Sequence, residues 1–147
     1  MKIANVSFPL YLSNEDIDNQ VATISMAFNR YSDTGIKILG YRCCCIALNK
    51  NKIVSIGVNK NKTNPNYALY AKLDKMTIHA EIDMIMNISN SDIRKVTDIY
   101  VTRGYSQLLP SLPCPICSMY LQKKFKNKTI LHYFHEDKWK TIQISEL

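Results

Sequence analysis

His79-Ala80-Glu81 and Pro113-Cys114-Pro115-Ile116-Cys117 are the two stretches that decide the fold of this chain. Together they supply one imidazole, two thiols and one carboxylate. Cys114 and Cys117 are three positions apart, so at the start of a helix their side chains share one face and can hold one metal ion. The exposed N–H groups of a helix N-terminus lower thiol pKa values, which favours the ligating thiolate. The two stretches therefore predict a zinc site built at the starts of two helices.

His79 is the natural third ligand, because it lies near the start of the other helix that the sequence predicts to be buried. Three protein ligands leave a fourth tetrahedral position for water, which is typical of catalytic rather than structural zinc. Zinc lowers the pKa of such a water to about 7, and Glu81 is then placed to take the proton and hand it on. Residues two apart on a helix point in nearly opposite directions, so His79 must lie at the loop–helix junction, with Thr77 as the expected N-cap.

The sequence also allows two other interpretations of these residues. One is a set of unrelated buried residues. The other is a closed structural zinc site, whose fourth ligand would be Cys43, Cys45 or His132.

The rest of the sequence predicts the element order α-β-β-α-β-α-β-β. Apolar residues at helical spacing follow a capping segment at 13–16, and this first helix should end near 31–35. Two β-rich runs joined by a short polar turn predict an antiparallel hairpin. The predicted strands are 41–48, 53–58, 97–102, 129–134 and 138–144, and the two later predicted helices are 77–89 and 115–126.

Strand connections set the expected topology. Strands joined through helices predict parallel neighbours, whereas only His135-Glu136-Asp137 separates the last two strands. A parallel crossover needs a dozen residues or more, so the last two strands should form an antiparallel hairpin. The expected fold class is α/β, a three-layer α/β/α sandwich with a mixed five-stranded sheet. A chain of 147 residues fits one such domain, spanning residues 1–147.

Composition limits the classes of protein that the chain can belong to. The five cysteines are an odd number, and no signal peptide or bilayer-spanning apolar run is visible, so free or metal-bound thiols in a cytoplasmic protein are expected, with no membrane partner. The net charge of +7 comes mostly from lysines clustered at 50–62 and 123–128. Such clusters fit a solvated surface, and they also fit attraction to phosphates on a nucleotide or a nucleic acid.

Both opening stretches match H-x-E…P-C-x-x-C, the signature of zinc deaminases, at every fixed position. The chain therefore resembles the cytidine and deoxycytidylate deaminase superfamily, and the resemblance covers most of the domain because the predicted element order also matches. It implies that His79, Cys114 and Cys117 bind Zn²⁺ and that Glu81 moves protons. The implied reaction is hydrolytic: water attacks C4 of cytosine, ammonia leaves and uracil remains. An adenine base would be attacked at C6 by the same groups.

The resemblance also predicts substrate contacts. Gly57-Val58-Asn59, at the end of the second predicted strand, resembles the family's GxN element, whose Asn contacts the substrate sugar. Asn59 is therefore the principal expected contact. Lys60 follows Asn59 and could bind a phosphate. Arg103 ends the third predicted strand, and Tyr105 in the following loop could stack on a base. Ala80 is a further expected contact.

Two features favour different branches of the family. A His as the first ligand is usual for deoxycytidylate, tRNA-adenosine and polynucleotide deaminases. A terminal hairpin is typical of free-cytidine deaminases, blasticidin-type enzymes and bacterial toxin deaminases, and the Gly and Pro of the deoxycytidylate pattern do not follow Asn59. The leading hypothesis is a deaminase of nucleosides or nucleotides that serves nucleotide metabolism. Editing of single-stranded DNA or RNA and a non-catalytic zinc-binding partner are the alternatives, and the resemblance implies a homo-oligomer.

Overall fold

The computed structural model describes residues 2–3, 6–7, 10–31, 42–59, 79–104 and 107–147. Two short strands, β1 (Lys2–Ile3) and β2 (Val6–Ser7), pair antiparallel by themselves. The remaining strands are β3 (Leu10–Tyr11), β4 (Cys43–Asn49), β5 (Lys52–Val58), β6 (Asp98–Arg103), β7 (Ile130–His135) and β8 (Lys138–Gln143). The helices are α1 (Ile17–Tyr31), α2 (Ala80–Asn87), α3 (Asn90–Ile93), α4 (Pro115–Lys124) and a final 3₁₀ turn, Ile144–Glu146. No described helix is long and apolar enough to cross a membrane.

The main sheet confirms the predicted α/β class and differs from the prediction in two details. Its six strands run in the order β3-β5-β4-β6-β7-β8, one more than expected, because β3 pairs antiparallel with the start of β5. The prediction of parallel neighbours holds for β6 and β7. Strands β5 and β6 also run parallel, but they are not neighbours, because β4 lies between them and is antiparallel to both. The terminal β7–β8 hairpin is antiparallel, as predicted. Glu136 and Asp137 make its turn with φ of 51° and 61°.

Helices cover both faces of the sheet, which gives the three predicted layers. The helix α1 packs on β4 and β6 from one side, and α2 packs on β5 and β4 from the other. Alternation along β4 divides the cysteine triplet, because Cys45 enters the core beneath α2 and α4 while Cys44 enters the core beneath α1. All five cysteines are free, and Cys43 packs on the same side as Cys45. Cys44 and Cys45 are therefore core residues on opposite faces of the sheet.

The backbone of α2 lies directly against β5, and Gly57 makes this approach possible. A Cβ atom at Gly57 would lie 2.2 Å from the Met84 nitrogen and 2.3 Å from the Ala80 carbonyl oxygen. Side chains then tie helix and strand together. Asp83 Oδ2 accepts a hydrogen bond from the Val58 N–H at 2.9 Å, and the Ser55 hydroxyl donates to the Met84 carbonyl at 3.0 Å. These contacts fix the position of α2, and with it the residues at its start.

We expect Gly57→Ala to lower the free energy of unfolding by about 1–3 kcal/mol, because the added methyl group would overpack against the α2 backbone. Urea denaturation measures this change, and Gly57→Val should cost more than Gly57→Ala. The sign separates this cause from strand propensity, since Ala or Val in an unhindered strand position normally stabilises relative to Gly. Unchanged or increased stability in both variants would contradict the close approach.

Candidate active site

The start of α2 brings His79 and Glu81 together at the end of the sheet. His79 is the N-cap residue, in an extended conformation with φ −73° and ψ 156°, and its carbonyl accepts the Asp83 N–H at 3.1 Å. The expected loop–helix junction is therefore found at His79. The structure corrects the expected cap, because His79 itself occupies the N-cap position predicted for Thr77, which lies outside the described residues.

The start of α4 presents the two thiols. Cys114 is the N-cap, and its sulfur accepts the Cys117 N–H at 3.5 Å. Pro115 occupies the first helical turn, where its missing N–H costs nothing and its fixed φ suits the helix. Cys117 is fully buried against Ile82 of α2, whereas Cys114 is half-buried. Contact between the starts of α2 and α4 thus faces the thiols toward His79.

The three donor atoms have the spacing that a tetrahedral metal requires. His79 Nδ1 lies 3.7 Å from Cys114 Sγ and 3.5 Å from Cys117 Sγ, and all three donor atoms are within 4.8 Å of one another. A tetrahedral zinc ion, with Zn–S of about 2.3 Å and Zn–N of about 2.0–2.1 Å, would set each sulfur about 3.6 Å from the nitrogen. The donor types and their separations therefore fit zinc.

The candidate fourth ligands do not join this group. Among the described residues, His79, Cys114 and Cys117 form the group of potential ligands, without Cys43 or Cys45. His132 lies elsewhere, with its Nε2 2.7 Å from Asp98 Oδ2 and its ring stacked on Tyr100 at 4.0 Å. Three protein donors without a fourth is the arrangement typical of catalytic zinc sites.

The two thiols have opposite proton affinities. The hydrogen bond from Cys117, together with His79, lowers the pKa of Cys114 well below that of an ordinary thiol. The same contact with Cys114, burial and the nearby Glu81 raise the pKa of Cys117 far above the ordinary range. Without a cation the pair therefore holds one thiolate and one thiol, and a divalent cation would have to displace the Cys117 proton.

Glu81 lies in the first turn of α2 and is 5% exposed. Burial raises the pKa of its carboxyl group, and this outweighs a backbone hydrogen bond and His79, which both lower it. Its carboxyl group is also in hydrogen-bonding contact with the Cys117 thiol. A buried carboxyl group with raised proton affinity, beside the donor group, has the properties of a general acid–base.

The other expected site residues are distributed around this centre. Asn59 Oδ1 accepts the Cys43 N–H at 2.9 Å, which fixes the orientation of the amide. Arg103 is half-buried at the end of β6, in register with Cys43. Ala80 is fully buried in the hydrophobic core, so its role as a substrate contact stays a prediction. Two of the expected contacts, Lys60 and Tyr105, lie outside the described residues.

From the sequence, Cys43 was a candidate only for the fourth ligand of a closed zinc site, yet the structure places it between Asn59 and Arg103. Glu81 raises the pKa of the Cys43 thiol and Arg103 lowers it, with burial as the main cause of the net rise to about 12. Cys43 therefore lies close to the candidate acid–base group. Period-2 alternation along a strand puts Cys43 on the same face as Cys45, but only the register of β4 with β5 and β6 shows which residues flank it.

Residues 18–132 match the family model described as "Cytidine and deoxycytidylate deaminase zinc-binding region". The match covers most of the chain, and the chain belongs to this family. The sequence-based assignment to the cytidine and deoxycytidylate deaminase superfamily is thereby confirmed. No curated protein sequence matches the chain.

Solved structures share the fold at low sequence identity. Cytidine deaminase from Burkholderia pseudomallei aligns with a TM-score of 0.62 and 13% identity, over 92% of this chain and 95% of that chain. Cytidine deaminase from Mycobacterium tuberculosis aligns with a TM-score of 0.51 and 16% identity, over 84% and 89% of the two chains. The enzyme from Mycobacterium leprae aligns with a TM-score of 0.50 and 19% identity, over 92% and 97%. The described elements thus form a cytidine deaminase fold.

Proposed function

We propose that this protein is a zinc-dependent hydrolytic deaminase that converts cytosine to uracil in a nucleoside or nucleotide. The observation that carries the proposal is the buried Glu81 carboxyl group beside three donor atoms spaced for tetrahedral zinc. A structural zinc site has no need of such a carboxyl group. Family membership and the fold shared with cytidine deaminases support the same reaction.

His79, Cys114 and Cys117 would hold the ion, and Glu81 would work beside it. Bound zinc supplies Lewis acidity, which lowers the pKa of a water molecule to about 7. Glu81 would take one proton from the attacking water and give it to the ring nitrogen, and would then pass the second proton of that water from the new hydroxyl group on C4 to the leaving amine. Its raised pKa suits this double role, because the carboxyl group holds a proton more readily than an exposed glutamate.

The residues at the strand ends would position the substrate. The Cys43 N–H engages Asn59 Oδ1, so Nδ2 is the atom of that amide that can donate to a sugar oxygen. Arg103 would add positive charge on the same side of the sheet as Glu81, which would favour a substrate that carries phosphate. The structural neighbours described above, which are cytidine deaminases, support a small nucleoside-type substrate.

An activity screen with purified, zinc-loaded protein tests the proposal. It should measure ammonia release from cytidine, deoxycytidine and their mono- and triphosphates, and from adenosine. Single-stranded DNA and RNA should be included, with base conversion read in the oligonucleotide. We expect turnover of a free cytosine nucleoside or nucleotide that stops when a chelator removes the metal and returns when zinc is restored.

Other outcomes of the screen would favour a different function. Conversion confined to oligonucleotides, with strongly salt-dependent binding, would identify a nucleic-acid-editing enzyme instead. Zinc-loaded protein that is inert on every substrate would support a non-catalytic zinc-binding partner.

A further inference from the structure

The sheet splits between its two parallel strands on the side of the candidate active site. Residues 98–100 of β6 pair with 130–132 of β7, and the register stops there. Beyond that point Arg103 still pairs with Cys43 of β4, and His135 still pairs with Lys138 of β8. The two strands therefore separate while each keeps its outer partner.

Ser111 occupies this split and joins the two strands. Its hydroxyl donates to the Val101 carbonyl at 2.7 Å and accepts the Phe134 N–H at 2.8 Å. Its own N–H donates to the Phe134 carbonyl at 3.0 Å. The residue is 6% exposed, so these three bonds replace ladder bonds that the strands no longer make to each other.

The segment from Ser111 to the metal-ligand motif has little torsional freedom. Pro113 and Pro115 each have φ fixed near −65°, and each restricts the residue before it to extended conformations. Cys114 has the expected extended geometry, with φ −66° and ψ 163°. A displacement at Ser111 is therefore passed along the chain to the Cys114 sulfur rather than absorbed by rotation.

We propose that Ser111 is a positioning residue that holds Cys114 at its place in the metal site by pinning the preceding segment into the split between β6 and β7. This inference rests on the proposed function in so far as Cys114 binds the metal. The hydrogen bonds of Ser111 go to Val101 and Phe134 and not to the donor atoms. It acts through the short, stiff segment that ends at the α4 N-cap.

The test compares Ser111→Ala with a matched control, Thr129→Val. Thr129 is also buried, and its hydroxyl also donates to a backbone carbonyl, that of Val96 at 3.3 Å. It immediately precedes β7, whereas the split and Ser111 lie at the other end of that strand.

We expect Ser111→Ala to lower zinc affinity about 10-fold or more in a chelator competition. The absorption bands of the Co²⁺-substituted protein should change with it, and Ser111→Thr, which keeps the hydroxyl, should restore both. Thr129→Val should leave both at wild-type values.

Wild-type zinc affinity and an unchanged Co²⁺ spectrum in Ser111→Ala would overturn the proposal. An equal loss of zinc affinity in Thr129→Val would overturn it too.

Amide hydrogen exchange of the metal-free protein tests the positioning role even if the wild type binds no zinc and the proposed function fails. The Cys117 and Ser118 amides bond to the Cys114 sulfur and carbonyl, at 3.5 and 2.9 Å. They should exchange faster in Ser111→Ala and not in Thr129→Val. Unchanged exchange at both amides would refute the positioning role without reference to metal.

Discussion

Glu81→Ala should abolish ammonia release while the protein keeps its fold and its zinc. We expect kcat to fall about 1,000-fold or more, because general acid–base groups typically contribute 10²–10⁴ and Glu81 is assigned both proton transfers. Zinc content should be unchanged, since the donor group consists of His79, Cys114 and Cys117. Zinc analysis by mass spectrometry and a coupled ammonia assay measure the two quantities on the same preparation.

Two further variants make this experiment specific. Glu81→Gln keeps the size of the buried side chain but cannot carry the proton, so it should be as inactive as Glu81→Ala. Glu146→Ala removes an exposed carboxylate from the C-terminal 3₁₀ turn and should keep wild-type turnover. Activity in Glu81→Ala within a few-fold of the wild type would refute the proton-transfer role. Loss of zinc together with activity would instead assign Glu81 to holding the metal site together.

The grouping of the His79, Cys114 and Cys117 donor atoms was predictable from the sequence because its geometry is mostly local. A Cys-x-x-Cys spacing with proline at the first helical position determines which way both thiols face. The place of His79 at the loop–helix junction follows from the need to direct it and Glu81 at one centre, although the N-cap expected at Thr77 is His79 itself. What sequence could not provide is the distance between the two helix starts, which depends on Gly57 admitting α2 against β5.

The features that the sequence did not predict depend on pairing between distant residues. The edge strand β3 has two residues, too few for alternation to be recognised, and it forms because Leu10 and Tyr11 meet Ile53 and Lys52. The separation of β6 from β7 around Ser111 could not be predicted from the local sequence, because a serine in a loop that contains Pro and Leu is common in turns of many kinds. Strands β5 and β6 were expected to be neighbours, but β4 lies between them, because a helical connection fixes the relative direction of two strands and not their adjacency.

Replacing the Cys117 thiol should have the second large effect, a loss of zinc binding at neutral pH. Cys117→Ala leaves two donors, and we expect zinc affinity to fall at least about 100-fold in a chelator competition, because each thiolate supplies a short Zn–S bond. Cys44→Ala is the matched control, since it also removes a fully buried thiol but from the core beneath α1. Equal zinc affinity in Cys117→Ala and the wild type would contradict the assigned ligand set.

The pH dependence of zinc binding reports how many protons the metal displaces from the two thiols. The low pKa of Cys114 makes it a thiolate at neutral pH, whereas the raised pKa of Cys117 keeps its proton until a cation displaces it. Metal binds the deprotonated form, so zinc affinity should rise with pH, by about tenfold per unit for each proton displaced. Cys114 is already ionised between about pH 6 and 8, so in this range the rise of zinc affinity with pH should come mainly from displacement of the Cys117 proton. A pH-indicator titration should register the proton released when zinc is added to the wild type, and Cys44→Ala should show the same release and the same pH slope. Zinc binding by the wild type with no proton release and no dependence on pH in this range would show that Cys117 does not give up a proton to the metal.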